Sequence, residues 1–378
     1  MTNADRADWR IFTGDDTNRG EKGLNIARLD SLPDPPPWRC FATLDRERAR
    51  SFIPEPEHIN RVNAALYLRR PLLVTGDPGT GKTTLVYAVA RELGLGPVLR
   101  WSITSRSTLK DGLYEYDAVA RLQDAYLSSQ APKDRVPPGA QDGAPTETEM
   151  APAAPKDPAD IGPYLTLGPL GTAFFANQHQ DPATGKVRYF PRVLLIDEID
   201  KSDIDLPNDL LHVFEEGRFE VPELVRLKDK CPTVQLRAWG QDAGLLTVTN
   251  GEVKCQEFPL VVLTSNGERD FPPAFLRRCL QLRMQPPNKN RLEQIVRAHL
   301  FALPANATAD ERDAIAERWR ANTDEITRLI ETFLTYRDDE HREQATDQLL
   351  NAVQFALSGV DLSGLLDAVF APLSGTAS

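Results

Sequence analysis

A chain of 378 residues is longer than one compact domain ordinarily needs, so two domains, or one domain with a lid, is the starting expectation. With 41% hydrophobic and 26% charged residues the composition is that of a soluble globular protein. The formal net charge of −11 argues against broad, sequence-blind contact with nucleic acid, which needs clustered Lys and Arg to displace counterions.

Cys40, Cys231, Cys255 and Cys279 are far apart and form no CxxC pair, and His58, His179, His212, His299 and His341 lack ligand spacing. Neither a disulfide framework nor a structural zinc is expected. The opening MTNADRADWR has no apolar signal core, and no apolar run is long enough to cross a bilayer, which points to a cytoplasmic protein.

Residues 1–59 are polar and proline-rich (SLPDPPPWRC), with isolated aromatics Trp9, Phe12, Trp38 and Phe41, and read as an irregular N-terminal strap. Residues 60–286 read as an α/β core. HINRVNAALYLRR is a short helix that runs into PLLVTG, a buried strand ending in glycine. A helix is predicted over 81–94, with Leu85, Val89 and Leu93 along one face and Gly94 as its stop. GPVLRWSIT is a second strand, and RVLLID and FPLVVLTSN are two more. A Pro/Ala-rich stretch at about 128–160 has too few large apolar residues to fold alone and reads as a mobile insertion. Residues 219–258 alternate polar and apolar around Gly and Pro, as an insertion of one or two hairpins would. Beyond MQPPNKN the chain, 287–378, reads as a helical lid, with helices at 289–302, 309–336 with a break, 345–357 and 361–371. Strands alternating with helices imply a parallel sheet flanked by helices, with a small helical domain appended.

The strongest motif is GDPGTGKTT, comprising Gly76, Asp77, Pro78, Gly79, Thr80, Gly81, Lys82, Thr83 and Thr84. It fits the P-loop pattern and lies between a predicted strand and a predicted helix, a context that a chance glycine-rich turn would lack. Glycines let backbone N–H groups turn inward around a polyphosphate, and the helix N-terminus favours the same anion. Lys82 would reach the β- and γ-phosphates, while the Thr83 hydroxyl would bind Mg²⁺.

In RVLLIDEIDKSD an apolar strand delivers Asp197 to its C-terminal end, where ligands bind in open α/β sheets. Asp197 is placed to hold the Mg²⁺ shell and Glu198 to polarise an attacking water. A solvated acidic cluster capping the next helix is the ordinary alternative for such a pair, and the P-loop upstream weighs against it. A kinase has no use for a water-activating glutamate, and NKNR at 288–291 lacks the aspartate of the guanine-specific NKxD motif, so ATP hydrolysis is the expected chemistry. Asn266 ends the strand FPLVVLTSN as a neutral amide suited to holding a water near a γ-phosphate. Arg277 and Arg278 have no acidic residue within three positions. An arginine finger and a plain surface ion pair are both open readings of them.

The order of P-loop, DE-ended strand, Asn-ended strand and arginines resembles that of AAA+ ATPases, and the sequence is similar to the MoxR branch of that superfamily. RRPLLVTGDPGTGKTTL, LGPLGTAFF, LLIDEIDKSDIDLPNDLLHVFEEGRFEVPEL and TSNGERDFPPAFLRRC carry the resemblance, which covers about residues 60–300 well and the lid loosely. It implies ATP and Mg²⁺ bound between core and lid, a homo-oligomeric ring, by resemblance a hexamer, and Arg278, with Arg277 beside it, acting on the nucleotide of the next subunit. It also implies work on a protein client, often with a separate von Willebrand A domain partner. Gln348 stands where the branch has a lid arginine, and Asp200 where it has an asparagine. Leu113, Tyr114 and Tyr116 lie where related branches place elements near the ring pore, although such aromatics also pack insertion helices. A nucleic-acid motor and a nucleotide-gated scaffold or defence sensor with slow turnover are the alternative functions.

Overall fold

The computed structural model describes residues 35–39, 44–130, 161–240, 244–303, 307–339, 344–359, 362 and 365–371. Most of the expected strap and residues 131–160 of the expected insertion lie outside them. In chain order the strands are β1 (Leu72–Thr75), β2 (Leu99–Ser102), β3 (Tyr114–Tyr116), β4 (Leu165–Leu167), β5 (Asn177–Gln180), β6 (Val187–Phe190) and β7 (Val193–Asp197). They continue with β8 (Arg218–Glu220), β9 (Thr233–Arg237), β10 (Leu245–Thr249), β11 (Glu252–Lys254), β12 (Leu260–Ser265) and β13 (Leu280–Arg283).

A five-stranded sheet of order β13-β1-β12-β7-β2 forms the centre, and every neighbouring pair in it is parallel. Its inner strands are nearly unbroken apolar runs because both faces are covered, as parallel sheets require. Side chains alternate strictly between those faces. Leu72, Val74, Val193, Leu195, Leu260 and Val262 pack with Val62, Leu85, Val86 and Ala90 of the helices Pro56–Leu68 and Lys82–Glu92. Leu73, Leu194, Ile196, Val261 and Leu263 face a second cluster with Leu170, Phe174, Leu210 and Phe275.

The P-loop helix buries a broader stripe than its spacing suggests, with Val89 packed half-buried against the same cluster as Leu85. Leu85 is buried, but the face runs on through Val86, Tyr87 and Ala90. Leu93 is the helix C-cap and remains 49% exposed. The preceding helix Leu44–Ser51 lies over this one, with the Arg48 guanidinium 5.6 Å from the Tyr87 ring, and so widens the buried arc.

Beside the main sheet lies a six-stranded one of order β3-β4-β9-β10-β11-β8, and β5 pairs with β6 in a separate ribbon. β10 turns into β11 through Asn250 (φ 56°) and Gly251 (φ 73°), the left-handed pair a two-residue hairpin needs. LGPLGTAFF forms β4 and then the short helix Pro169–Ala173, all of whose residues are buried. Gly171 permits a backbone crossing there, because a Cβ at this position would lie 2.0 Å from the Leu113 carbonyl oxygen. Gly171→Ala is therefore expected to cost about 1–3 kcal/mol in urea denaturation, the scale of overpacking a filled core. A change below about 0.5 kcal/mol would show that the crossing relaxes freely.

The C-terminal region is helical. Lys289–Leu300, Ala309–Leu334, Thr346–Leu357 and Leu366–Val369 enclose Leu292, Val296, Ile330, Phe333, Leu349, Val353 and Phe370. Trp38 of the N-terminal segment packs against the same cluster. The expected break in the long helix is absent, since 309–334 contains neither Gly nor Pro and Thr308 with Glu311 closes a capping box at its start. It ends instead in a π-turn over Thr335–Asp339. Among the described residues no helix is long and apolar enough to cross a membrane.

Candidate active site

Strand order assembles the site. β12 lies between β1 and β7, and all three run parallel, so the P-loop after β1, the Asp197–Glu198 end of β7 and Asn266 after β12 emerge at one edge of the sheet. This is the carboxyl edge, where open α/β sheets bind ligands.

Lys82 is only 8% exposed, and its Nζ donates to the carbonyls of Gly76 (2.7 Å) and Asp77 (2.9 Å). Burial lowers its pKa, and the charges of Asp200, Asp77, Asp197 and Glu198 oppose that shift. The ammonium is thus folded onto its own loop, beside the N-terminus of the helix Lys82–Glu92. Gly79 has φ 76°, and a Cβ on it would sit 2.8 Å from the Ala345 Cβ and 2.8 Å from the Thr346 nitrogen. The loop therefore touches the first residues of a lid helix. On its other side the Phe52 ring and Met284 approach Gly81. Nothing in the sequence pattern singled out Phe52, Met284, Ala345 or Thr346, because each reaches the loop only through the tertiary fold.

The Thr83 hydroxyl donates to Asp197 Oδ1 at 3.1 Å, and the Thr264 hydroxyl donates to the same oxygen at 2.6 Å. Asp197 Oδ2 accepts from Arg100 Nη2 (2.6 Å) and Nε (3.1 Å), and its side chain is 7% exposed. A hydroxyl and a carboxylate, both hard oxygen donors, thus converge beside the P-loop. That set fits Mg²⁺, which takes one or two carboxylates and completes its shell with substrate phosphates and water.

Glu198 adopts the left-handed conformation (φ 61°, ψ 48°), uncommon for a residue with a Cβ. Its N–H donates to Thr264 Oγ1 at 2.9 Å, and its carboxylate pairs with Lys201 Nζ at 2.8 Å. Strained backbone of this kind persists where neighbours over-determine it, and it turns the side chain out of the strand line. Asp200 is 3% exposed, and its Oδ2 accepts from the N–H groups of Asn266 (2.9 Å) and Glu268 (3.2 Å). It ties the turn after β7 to the loop that carries Asn266. Its Oδ1 has no hydrogen-bond partner among the described residues.

The arginines lie elsewhere. Arg277 and Arg278 close the helix Pro273–Arg278, just before β13, at the amino edge of the sheet. The length of β1, four residues at about 3.3 Å each, separates that edge from the P-loop. Arg278 pairs with Glu215, and Arg70 donates to the carbonyls of both arginines. Gln348 lies in the lid helix that touches Gly79, but its side chain is engaged locally. Oε1 accepts from the Ala345 N–H (2.9 Å) and Nε2 donates to the Ala371 carbonyl (2.6 Å). Leu113 and Tyr114 are buried, with the Tyr114 hydroxyl bonded to Glu223 at 2.9 Å, and Tyr116 is half-buried. Leu113 and Tyr114 are core residues, not a contact surface.

Residues 72–132 match the sequence model of the AAA family, described as ATPases associated with various cellular activities. A 58-residue stretch is 40% identical to Protein MoxR of Methylorubrum extorquens, covering 15% of this chain and 17% of that protein. Domain III of the Thermotoga maritima replication initiation protein DnaA superposes only loosely, with a TM-score of 0.34 at 16% identity, over 86% of this chain and 98% of that one. With a parallel sheet and a helical C-terminal region around it, the segment 72–132 resembles the AAA family, and the chain is similar to MoxR over the 58 residues they share, a stretch that spans less than a fifth of that relative.

Proposed function

We propose that this protein hydrolyses ATP with Mg²⁺ in the cytoplasm, assembles into a ring of like subunits, a hexamer by resemblance, and uses the cycle to remodel or mature a protein client. A separate von Willebrand A domain protein is the partner class that the MoxR resemblance suggests. The observation that carries the reading is the convergence of Lys82, Thr83, Asp197, Glu198 and Asn266 at one sheet edge, with Arg277 and Arg278 at the other.

The P-loop N–H groups bind the polyphosphate, and Lys82 exchanges the carbonyls of Gly76 and Asp77 for phosphate oxygens. Mg²⁺ would be held by Thr83 and Asp197 and would offset charge on the phosphates. Glu198, released from Lys201, accepts the proton of the attacking water, which the Asn266 amide orients. Arg278 reaches the neighbouring subunit's nucleotide, since the length of the sheet separates it from its own.

Lys82→Ala is expected to weaken Mg-ATP binding at least about tenfold, the cost of removing charged hydrogen bonds to phosphate, and to abolish phosphate release. Nucleotide titration and a phosphate assay check both. Wild-type binding without measurable release would favour a nucleotide-gated scaffold, the reading that the engaged side chain of Gln348 supports. Stimulation of release by DNA would favour a nucleic-acid motor.

A further inference from the structure

Both carboxylate oxygens of Asp197 have partners within the chain. Oδ1 takes the hydroxyls of Thr83 and Thr264, and Oδ2 takes two N–H groups of Arg100. Arg100 comes from β2, the edge strand beside β7, where it stands opposite Leu195, and its long side chain runs along the strand to reach Asp197. Arg100 lies outside the P-loop and the RVLLIDEIDKSD motif. Two N–H groups on one carboxylate oxygen make a directional, charge-assisted contact, and the partner oxygen lies in a side chain that is 7% exposed, where solvent screens little.

We infer that Arg100 stands in for the metal at Asp197, a positioning residue that holds Oδ1 toward Thr83 and cancels the carboxylate charge until Mg²⁺ arrives with nucleotide. The inference rests on the Mg-ATP reading of the site. Asp77, Asp197, Glu198 and Asp200 all act electrostatically on Lys82, so polyphosphate without a metal enters a strongly acidic surrounding. Among the described residues no three His, Cys, Asp or Glu side chains converge to hold a metal by themselves, so the metal depends on the phosphates for the rest of its shell. In that setting the Asp197 charge is repulsive to metal-free ATP and attractive to Mg-ATP, and a guanidinium on Oδ2 blunts both effects. Oδ1 remains the oxygen that can exchange the Thr83 hydroxyl for the cation.

The readout is the ratio of dissociation constants for ATP with EDTA and for ATP with Mg²⁺, measured by calorimetry on the full chain. Arg100→Gln is expected to raise that ratio at least about tenfold over wild type, because loss of one unit charge at this range weakens metal-free ATP and strengthens the benefit of Mg²⁺. Arg100→Lys, which keeps the charge, is expected to stay within about threefold of wild type. Arg100→Met supplies a second neutral variant should the glutamine protein fold poorly. A ratio unchanged in the neutral variants, with wild type binding Mg-ATP normally, overturns the role of Arg100 and leaves the site reading intact. A wild type that binds no Mg-ATP overturns the site reading and this inference with it.

Discussion

Glu198→Gln is expected to slow phosphate release by about two to four orders of magnitude while leaving Mg-ATP affinity within a few-fold of wild type. Glutamine fills the same volume and bears the same backbone cost at φ 61°, so the turn after β7 keeps its shape. The N–H that donates to Thr264 is unaffected, and the amide oxygen still accepts from Lys201. What is lost is the ability to take a proton from water. Because Glu198 is half-exposed and paired with Lys201, the substitution leaves no buried charge uncompensated, which separates a chemical effect from a folding one. Steady-state phosphate release with a parallel nucleotide titration decides it. Equal release from both proteins would remove Glu198 as the base, and a matching loss of affinity would assign it to binding. The same variant, held with ATP, is the form from which to identify co-purifying proteins.

The central sheet was legible because its strands advertise burial on both faces: LLV, VLLI and LVVL leave no polar side to face water. The buried stripe on the P-loop helix is wider than its spacing indicates, since spacing alone does not reveal that Tyr87 is covered by the helix Leu44–Ser51. The second sheet draws on three-residue strands such as YEY, LTL and EVK, too short for a period-two pattern to declare itself. β3 pairs with β4 across the whole of residues 117–164, and no local signal encodes that partnership.

The same division runs through the site. Residues whose proposed roles depend on a local turn (the P-loop glycines, Lys82, Thr83) or on the end of one strand (Asp197, Glu198, Asn266) can be named from sequence, because those roles depend on spacing along the chain. Arg100, Phe52, Met284, Ala345 and Thr346 reach the site from separate elements, and their residue types are unremarkable where they stand in sequence. Asp200 looked like a mere departure from a family pattern. In three dimensions it fastens the loop of Asn266 to the turn of Glu198 through two backbone N–H groups. Arg278, without acidic neighbours in sequence, finds Glu215 at the end of a packed helix.

Mixing Arg278→Ala with Lys82→Ala subunits, each nearly inactive alone, is expected to restore hydrolysis to about a quarter of wild type. In a head-to-tail ring every site combines the P-loop of one subunit with the arginine edge of the next. Random mixing in equal amounts places an intact Lys82 against an intact Arg278 at about one interface in four. Arg278→Ala alone is expected to cost about a thousandfold in turnover, the low end of what a finger arginine contributes. Arg278 now pairs with Glu215, and both side chains are about half exposed, so the pair is weakly held and costs little to open when a neighbour's phosphate competes. An arginine that worked only as a surface ion-pair partner would give a different pattern: its alanine variant would turn over ATP near the wild-type rate, and the mixture would hydrolyse in proportion to its Lys82-intact half. A third outcome, an inactive variant with no recovery in mixed rings whose assembly light scattering verifies, would place the effect of Arg278 within its own subunit. The one-in-four recovery depends on two copies sharing a site, so it separates the trans reading from both rivals without knowledge of the client.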